Sequence, residues 1–250
     1  MIALDYLSLN DLITALFIFI GAVIYSSVGH GGASSYIAIM SFMGTPTQII
    51  KPIGLSLNII VSSIASYRFV KHRFLNTSVL IPVVIGSIPA AFIGGLIDLP
   101  SSIFRLLLGF VLFFAGLQLI FNFFHQRNEL QRVNFILAFF LGGVIGLVSG
   151  LTGTGGGIFL SPLIIFLGWT TIREASGTAS IFILCNSLAG LAGNFSTIGH
   201  LPPSIFLYSI AVLMGVLIGT HLGIKQLNPD GLRKVLGVVL IIAALKFILT

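Results

Sequence analysis

Apolar runs of 18 or more residues, parted by short polar breaks, fill nearly the whole chain: 11–28, 49–68, 79–97, 102–123, 133–150, 174–195, 203–222 and 231–249. A helix needs roughly 17 to 25 such residues to cross about 30 Å of hydrocarbon. The pattern therefore predicts eight long membrane-spanning helices. Two apolar pieces are left over, 33–44 (ASSYIAIMSFMG) and 156–168 (GGIFLSPLIIFLG), and both are too short to cross comfortably.

Each short piece follows a glycine cluster, and the clusters align. GHGGA at 29–33 overlays GTGGG at 153–157 with an offset of 124, and at that offset Ser56 meets Ser180 and Ser63 meets Ser187. Farther along, IGGLI (93–97) meets IGTHL (218–222), while GAVI (21–24) resembles GGVI (142–145) at an offset shorter by three. The expected architecture is an all-α membrane protein, one transporter domain over 1–250, built from two repeats at 1–124 and 125–250. Each repeat reads as four long transmembrane helices and one short half-helix after a Gly-rich break.

Composition agrees: 56% of the residues are hydrophobic and 7% charged, with a mean hydropathy of +1.13. The net charge of +6 is spread through short loops rather than gathered on one face, which excludes nucleic acid as a partner. Basic residues stay on the cytoplasmic side of a membrane. Placing 68–73, 127–132 and 225–234 inside, with Arg173 falling on the same side, puts nine of the twelve Lys and Arg residues there, leaving Lys51, Arg105 and Lys246. With five segments per half, the halves then insert in opposite directions, an inverted-topology repeat in the cell (inner) membrane with both termini outside. The start, MIALDYLSLND, is acidic where a signal peptide would be basic, so it reads as mature sequence. The lone Cys185 reads as a small core residue, and no metal site or cofactor is expected.

Non-helical chain at membrane depth survives only where protein buries it or a polar cavity wets it. Two such breaks in oppositely inserted halves predict a shared polar site near the midplane, as in secondary transporters. Glycine reaches positive φ and admits close approach. The amides at the start of each short helix point into the break, and an anion is their natural guest. The candidate substrate-binding residues are Gly29, His30, Gly31, Gly32, Ala33 and Ser34 in the first break and Gly153, Thr154, Gly155, Gly156 and Gly157 in the second. Hydroxyls of Ser34, Ser35, Thr152 and Thr154 can donate to oxyanion oxygens, and His30 can take a proton.

Asn58, Ser56, Ser62 and Ser63 follow the first break on a long helix, and Thr178, Ser180, Asn186 and Ser187 follow the second. Polar groups at this depth line a pathway or bond a neighbouring helix; Asn58, Ser180 and Asn186 are read as pathway residues. Lys51 either draws an anion into an outer vestibule or snorkels to the interface. Glu174 beside Arg173 reads as a cap at a helix start. His221 is a second proton-carrier candidate, against the plainer role of a hydrogen-bonded membrane histidine. Isolated pairs such as Gly142 with Gly146 and Gly215 with Gly219 read as helix-packing positions. The glycine clusters lack the preceding strand and the lysine of a nucleotide loop. The serine of GLVSGLTG has no base partner at a telling spacing, so the chain does not read as an enzyme.

The stretches YSSVGHGGASSYIAIMSF (25–42) with KPIGLSLNIIVSSIASYRF (51–69), and GLVSGLTGTGGGIFLSPLII (146–165) with REASGTASIFILCNSLAGL (173–191), carry a family likeness. On them the chain resembles the sulfite exporter TauE/SafE family, within the toluene sulfonate uptake permease superfamily. The resemblance implies a permease for a small sulfur oxyanion or organosulfonate, such as sulfite or sulfoacetate, working by alternating access and coupled to protons or another ion. A passive anion channel is the alternative, and the protein is expected as a monomer or a homodimer. Thr154 stands where the first cluster has His30, so the repeat symmetry is chemically broken.

Overall fold

The computed structural model describes residues 8–27, 31–121, 130–195, 201–224 and 230–249, and all regular structure among them is helical. The helices are α1 (Leu9–Ser27), α2 (Ala33–Phe42), α3 (Thr47–Lys71), α4 (Thr77–Leu96), α5 (Ser101–Phe121), α6 (Phe135–Thr152), α7 (Gly157–Phe166), α8 (Ile172–Gly193), α9 (Ser204–Ile224) and α10 (Asp230–Leu249). Seven of them are long and apolar enough to cross a membrane. The short pieces α2 and α7 have 10 residues each, about 15 Å of helix and half a bilayer.

Local chemistry sets the starts. Asn76 caps α4 by accepting from the Val79 amide at 3.3 Å, and Asn134 caps α6 by accepting from Leu137 at 3.0 Å. Thr171 and Glu174 form a reciprocal capping box at α8. The cap partner of Glu174 is therefore Thr171, while the neighbouring Arg173 guanidinium lies 5.5 Å from the Phe74 ring.

Small residues decide which helices meet, because in lipid the association of helices rests on close packing rather than on water exclusion. α4 packs along α6 and α1 along α9, both nearly backbone to backbone. A Cβ on Gly146 would sit 2.5 Å from the Ser87 carbonyl oxygen, and one on Gly215 would sit 2.9 Å from that of Phe19. The packing role expected of Gly142, Gly146, Gly215 and Gly219 is thus the observed one. α5 pairs with α10, where Gly116 and Gly237 face one another.

α3 and α8 cross at the centre. Buried positions make up 67% and 61% of their apolar windows, against 39 to 44% for the other long helices, so these two are shielded from lipid. Leu55 lies against Gly190 and Phe69 against Gly177, which makes α3 and α8 antiparallel. Gly109 meets Ile248 and Gly116 meets Gly237, so α5 and α10 are antiparallel as well. When α1–α5 are exchanged in order with α6–α10, the principal pairings map onto themselves. Large apolar side chains such as Phe17, Ile81, Phe114, Phe140 and Phe206 are exposed on the outside, a surface suited to hydrocarbon.

Candidate functional site

α6 stops at Gly153, whose φ of +81° is a left-handed value that glycine adopts without penalty, and its amide closes back on the Ser149 carbonyl at 2.8 Å. Gly155 (φ +77°) and Gly156 (φ +78°) continue the turn into α7. In the first half Gly32 (φ +95°) does the same at the start of α2. Gly31 and Gly157 lie outside the left-handed region, so those positions are glycine for space. A side chain on Gly31 would collide with the Asn58 carbonyl oxygen, and one on Gly157 with Ile183.

The two breaks meet on the amide of Asn58, which is fully buried. Its Oδ1 accepts from the Ala33 amide, in the first turn of α2, at 3.1 Å. Its Nδ2 donates to the Thr154 carbonyl, in the turn before α7, at 3.3 Å. Ile183 of α8 completes the closure: a Cβ on Gly31 would lie 2.9 Å from its Cγ2 and one on Gly155 3.0 Å from the same atom. The N-terminus of α2 and the turn that leads into α7 thus converge on one neutral amide and one methyl group. Each end carries roughly half a positive charge from the aligned peptide dipoles, and the Asn58 carbonyl oxygen occupies an amide that an oxyanion could take.

The hydroxyls around this junction are mostly spent on backbone. Ser35 Oγ donates to the Gly32 carbonyl at 2.8 Å and Ser62 Oγ to that of Asn58 at 2.6 Å. Thr152 Oγ1 donates to the Val148 carbonyl at 2.7 Å and lies 3.0 Å from Thr154 Oγ1. Ser180 Oγ donates to the Gly177 carbonyl at 2.8 Å, and Thr178 Oγ1 accepts from the Asn76 amide at 3.2 Å. Ser34 is buried beside them. Asn186 is fully buried one turn farther along α8. Gly29 and His30 lie outside the described residues, and His221 is exposed near the end of α9.

Lys51 has a different setting from the junction. Its side chain is 6% exposed, and Nζ donates to the carbonyls of Gly94 (3.3 Å), Gly95 (2.9 Å) and Ile97 (3.2 Å) at the end of α4. These carbonyls have no intrahelical donor, and a cation at a helix C-terminus is favoured. Asn194 adds a second donor to Gly95 at 3.3 Å. Lys51, Asn194, Asp98, Gln48 and Thr47 line a cleft of about 220 Å³. The ammonium there is held by helix-end carbonyls beside a carboxylate.

Three residues that the pattern reading passed over contribute here. Tyr36, fully buried, donates from Oη to the Gly31 carbonyl at 3.0 Å and braces the first break. Ile183 plugs the junction, and Asn194 helps to hold the end of α4. The tyrosine is the one signal in the sequence, a hydroxyl-bearing ring inside a half-helix of otherwise small and apolar residues.

The family model described as "Sulfite exporter TauE/SafE" matches residues 13–247. The chain is 34% identical over 244 residues to the "Probable membrane transporter protein y4hK" of Sinorhizobium fredii, covering 94% of this chain and 96% of that one. It is 26% identical over 250 residues to the "Probable membrane transporter protein YjnA" of Bacillus subtilis, covering 92% and 96%. The "Probable membrane transporter protein MJ0441" of Methanocaldococcus jannaschii is also 26% identical, over 89% of each chain.

Proposed function

The chain belongs to the sulfite exporter TauE/SafE family of multi-pass membrane transporters, and on that premise we propose that it is a secondary carrier for a small sulfur-containing anion, sulfite or an organosulfonate such as sulfoacetate. The carrier works in the cell membrane by alternating access, coupled to protons or another ion, with both termini outside.

One observation carries the reading: the Asn58 side chain joins the first turn of α2 to the turn before α7. The positive end of α2 is directed at that amide, and α7 begins close behind its Thr154 contact, so an anion there gains from peptide dipoles without any buried cation. The closed junction is then the occluded state, in which the Asn58 carbonyl oxygen stands in for an anion oxygen. An inverted repeat is supported by the antiparallel pairing of α3 with α8 and of α5 with α10, each the counterpart of the other under the offset. Inverted halves around a midplane site are the usual frame for rocking between two open states.

Proteoliposomes loaded with sulfite test this. A carrier takes up labelled sulfite by counterflow and saturates, and Asn58→Ala abolishes both. Flux that rises linearly with concentration and shows no counterflow rejects the carrier in favour of a channel. An unchanged rate in the Asn58→Ala protein rejects the junction as the site.

A further inference from the structure

Among the described residues, the Ser149 hydroxyl, both amide atoms of Asn186 and the Ser187 hydroxyl are buried without a hydrogen-bond partner. All three side chains are fully buried. Buried polar groups are nearly always met, and four unmet atoms on three fully buried side chains are costly unless a guest meets them.

Their placement follows from their neighbours. Phe182, Asn186 and Gly190 recur at four-residue spacing and share one face of α8. At one end of that face, a Cβ on Gly156 would lie 3.1 Å from the Phe182 ring and 3.4 Å from the Ser149 Cβ. At the other end, a Cβ on Gly190 would lie 3.5 Å from the Gly150 Cα. Asn186 between them faces the last turn of α6. Ser187 lies one turn beyond Ile183, on the side of α8 that meets both glycine breaks.

The end of α6 is electrostatically negative, since its last carbonyls look past Gly153 with no helix to continue into. Ser149 belongs to that final turn, and its own carbonyl accepts the Gly153 amide. Hydroxyl, amide and helix-end carbonyl oxygens in one dry place make a set of neutral oxygen ligands for a hard cation. No Asp, Glu or His is fully buried among the described residues. Calcium and magnesium favour carboxylates, so the neutral set suits a monovalent ion.

We propose that Asn186, Ser149, Ser187 and the terminal carbonyls of α6 hold a sodium ion that is the coupling ion of transport. Asn186 Oδ1 binds the cation and Nδ2 is left to donate to the anion at the neighbouring junction. One amide engaging both ions makes each raise the affinity of the other. The coupling role rests on the carrier reading above; the cation site does not.

The test is thermal unfolding of the purified full chain in sodium, potassium and choline chloride at equal ionic strength, with no sulfur anion present. A specific ligand of the folded state raises its melting temperature. Sodium raises it by about 5 °C over choline, and Asn186→Ala removes the rise. Should that variant fail to fold, Ser149→Ala and Ser187→Ala each move the midpoint of the sodium titration upward by about tenfold. Equal melting temperatures in the three salts overturn the site, as does a sodium effect untouched by all three variants. Sulfite flux independent of sodium overturns the coupling. No sulfite flux in any salt overturns the carrier reading instead and leaves the sodium-dependent stabilisation standing.

Discussion

Asn58 and Thr154 are 96 residues apart and belong to different halves of the chain, yet the Asn58 Nδ2 donates to the Thr154 carbonyl at 3.3 Å inside the protein. The same amide takes the Ala33 N–H on its oxygen. No other residue type of this size offers a donor and an acceptor side by side without a charge. Asn58→Asp keeps the acceptor for Ala33, loses the donor to the Thr154 carbonyl and places a fixed negative charge where the anion would sit. Its expected outcome is a folded protein that no longer carries sulfite, read as flux in proteoliposomes against the melting temperature. Retained flux in this variant contradicts the assignment.

The two breaks differ in what a methyl group does to them. Gly155 has φ +77° and Gly31 does not, so Gly155→Ala adds backbone strain of about 1–2 kcal/mol to a clash with the Asn58 amide. Gly31→Ala meets only the ends of the Asn58 and Ile183 side chains, which can shift. Both variants lose flux, and thermal unfolding ranks Gly155→Ala as clearly the less stable.

Gly142 and Gly143 are neighbours with opposite tolerance. A Cβ on Gly142 would collide with the Val83 carbonyl of α4, whereas on Gly143 the nearest atom, the Gly86 carbonyl oxygen, is 3.6 Å away. Gly142→Ala forces α4 and α6 apart and lowers the yield of folded protein. Gly143→Ala is expected to match the parent in size-exclusion profile and melting temperature, and to raise helix propensity slightly.

Lys51 separates attraction of anions from structural support. Its three donors are engaged by helix-end carbonyls, and a buried bond to a charged group contributes about 1.5–3 kcal/mol. Lys51→Met keeps the stem and loses the bonds. The melting temperature then falls by about 5 °C, while the KM for sulfite in the folded fraction stays within about twofold, a difference of less than ~0.5 kcal/mol. An unchanged melting temperature with a much higher KM restores the vestibule role.

The helices were readable from the chain because lipid imposes one period and one length on every crossing segment. Helices appear at all the predicted runs, seven of them among the described residues long and apolar enough to span, and α3 runs on past its apolar core through a basic last turn. The glycine clusters announced the breaks, since few other residues accept the left-handed values at 32, 153, 155 and 156. The identity of the bridging residue was half legible: Asn58 stood out as a buried amide, but the offset of 124 pairs it with Phe182, so the repeat alone could not mark it. The hold on Lys51 was not legible in the sequence, for a physical reason. Its partners are backbone carbonyls 43 to 46 positions away, and a backbone acceptor leaves no trace in residue type. The hydroxyls of Ser35, Thr152 and Ser180 were open to the same ambiguity, and local carbonyls took them.

The most direct measurement is an experimental structure determined with sulfite bound. The anion is expected between the first turns of α2 and α7, within hydrogen-bonding distance of the Ala33 amide and the Asn58 Nδ2, with the Asn58 oxygen withdrawn from Ala33. Sulfite found only in the cleft beside Lys51 and Asp98, with Asn58 still bonded to both Ala33 and Thr154, would contradict it.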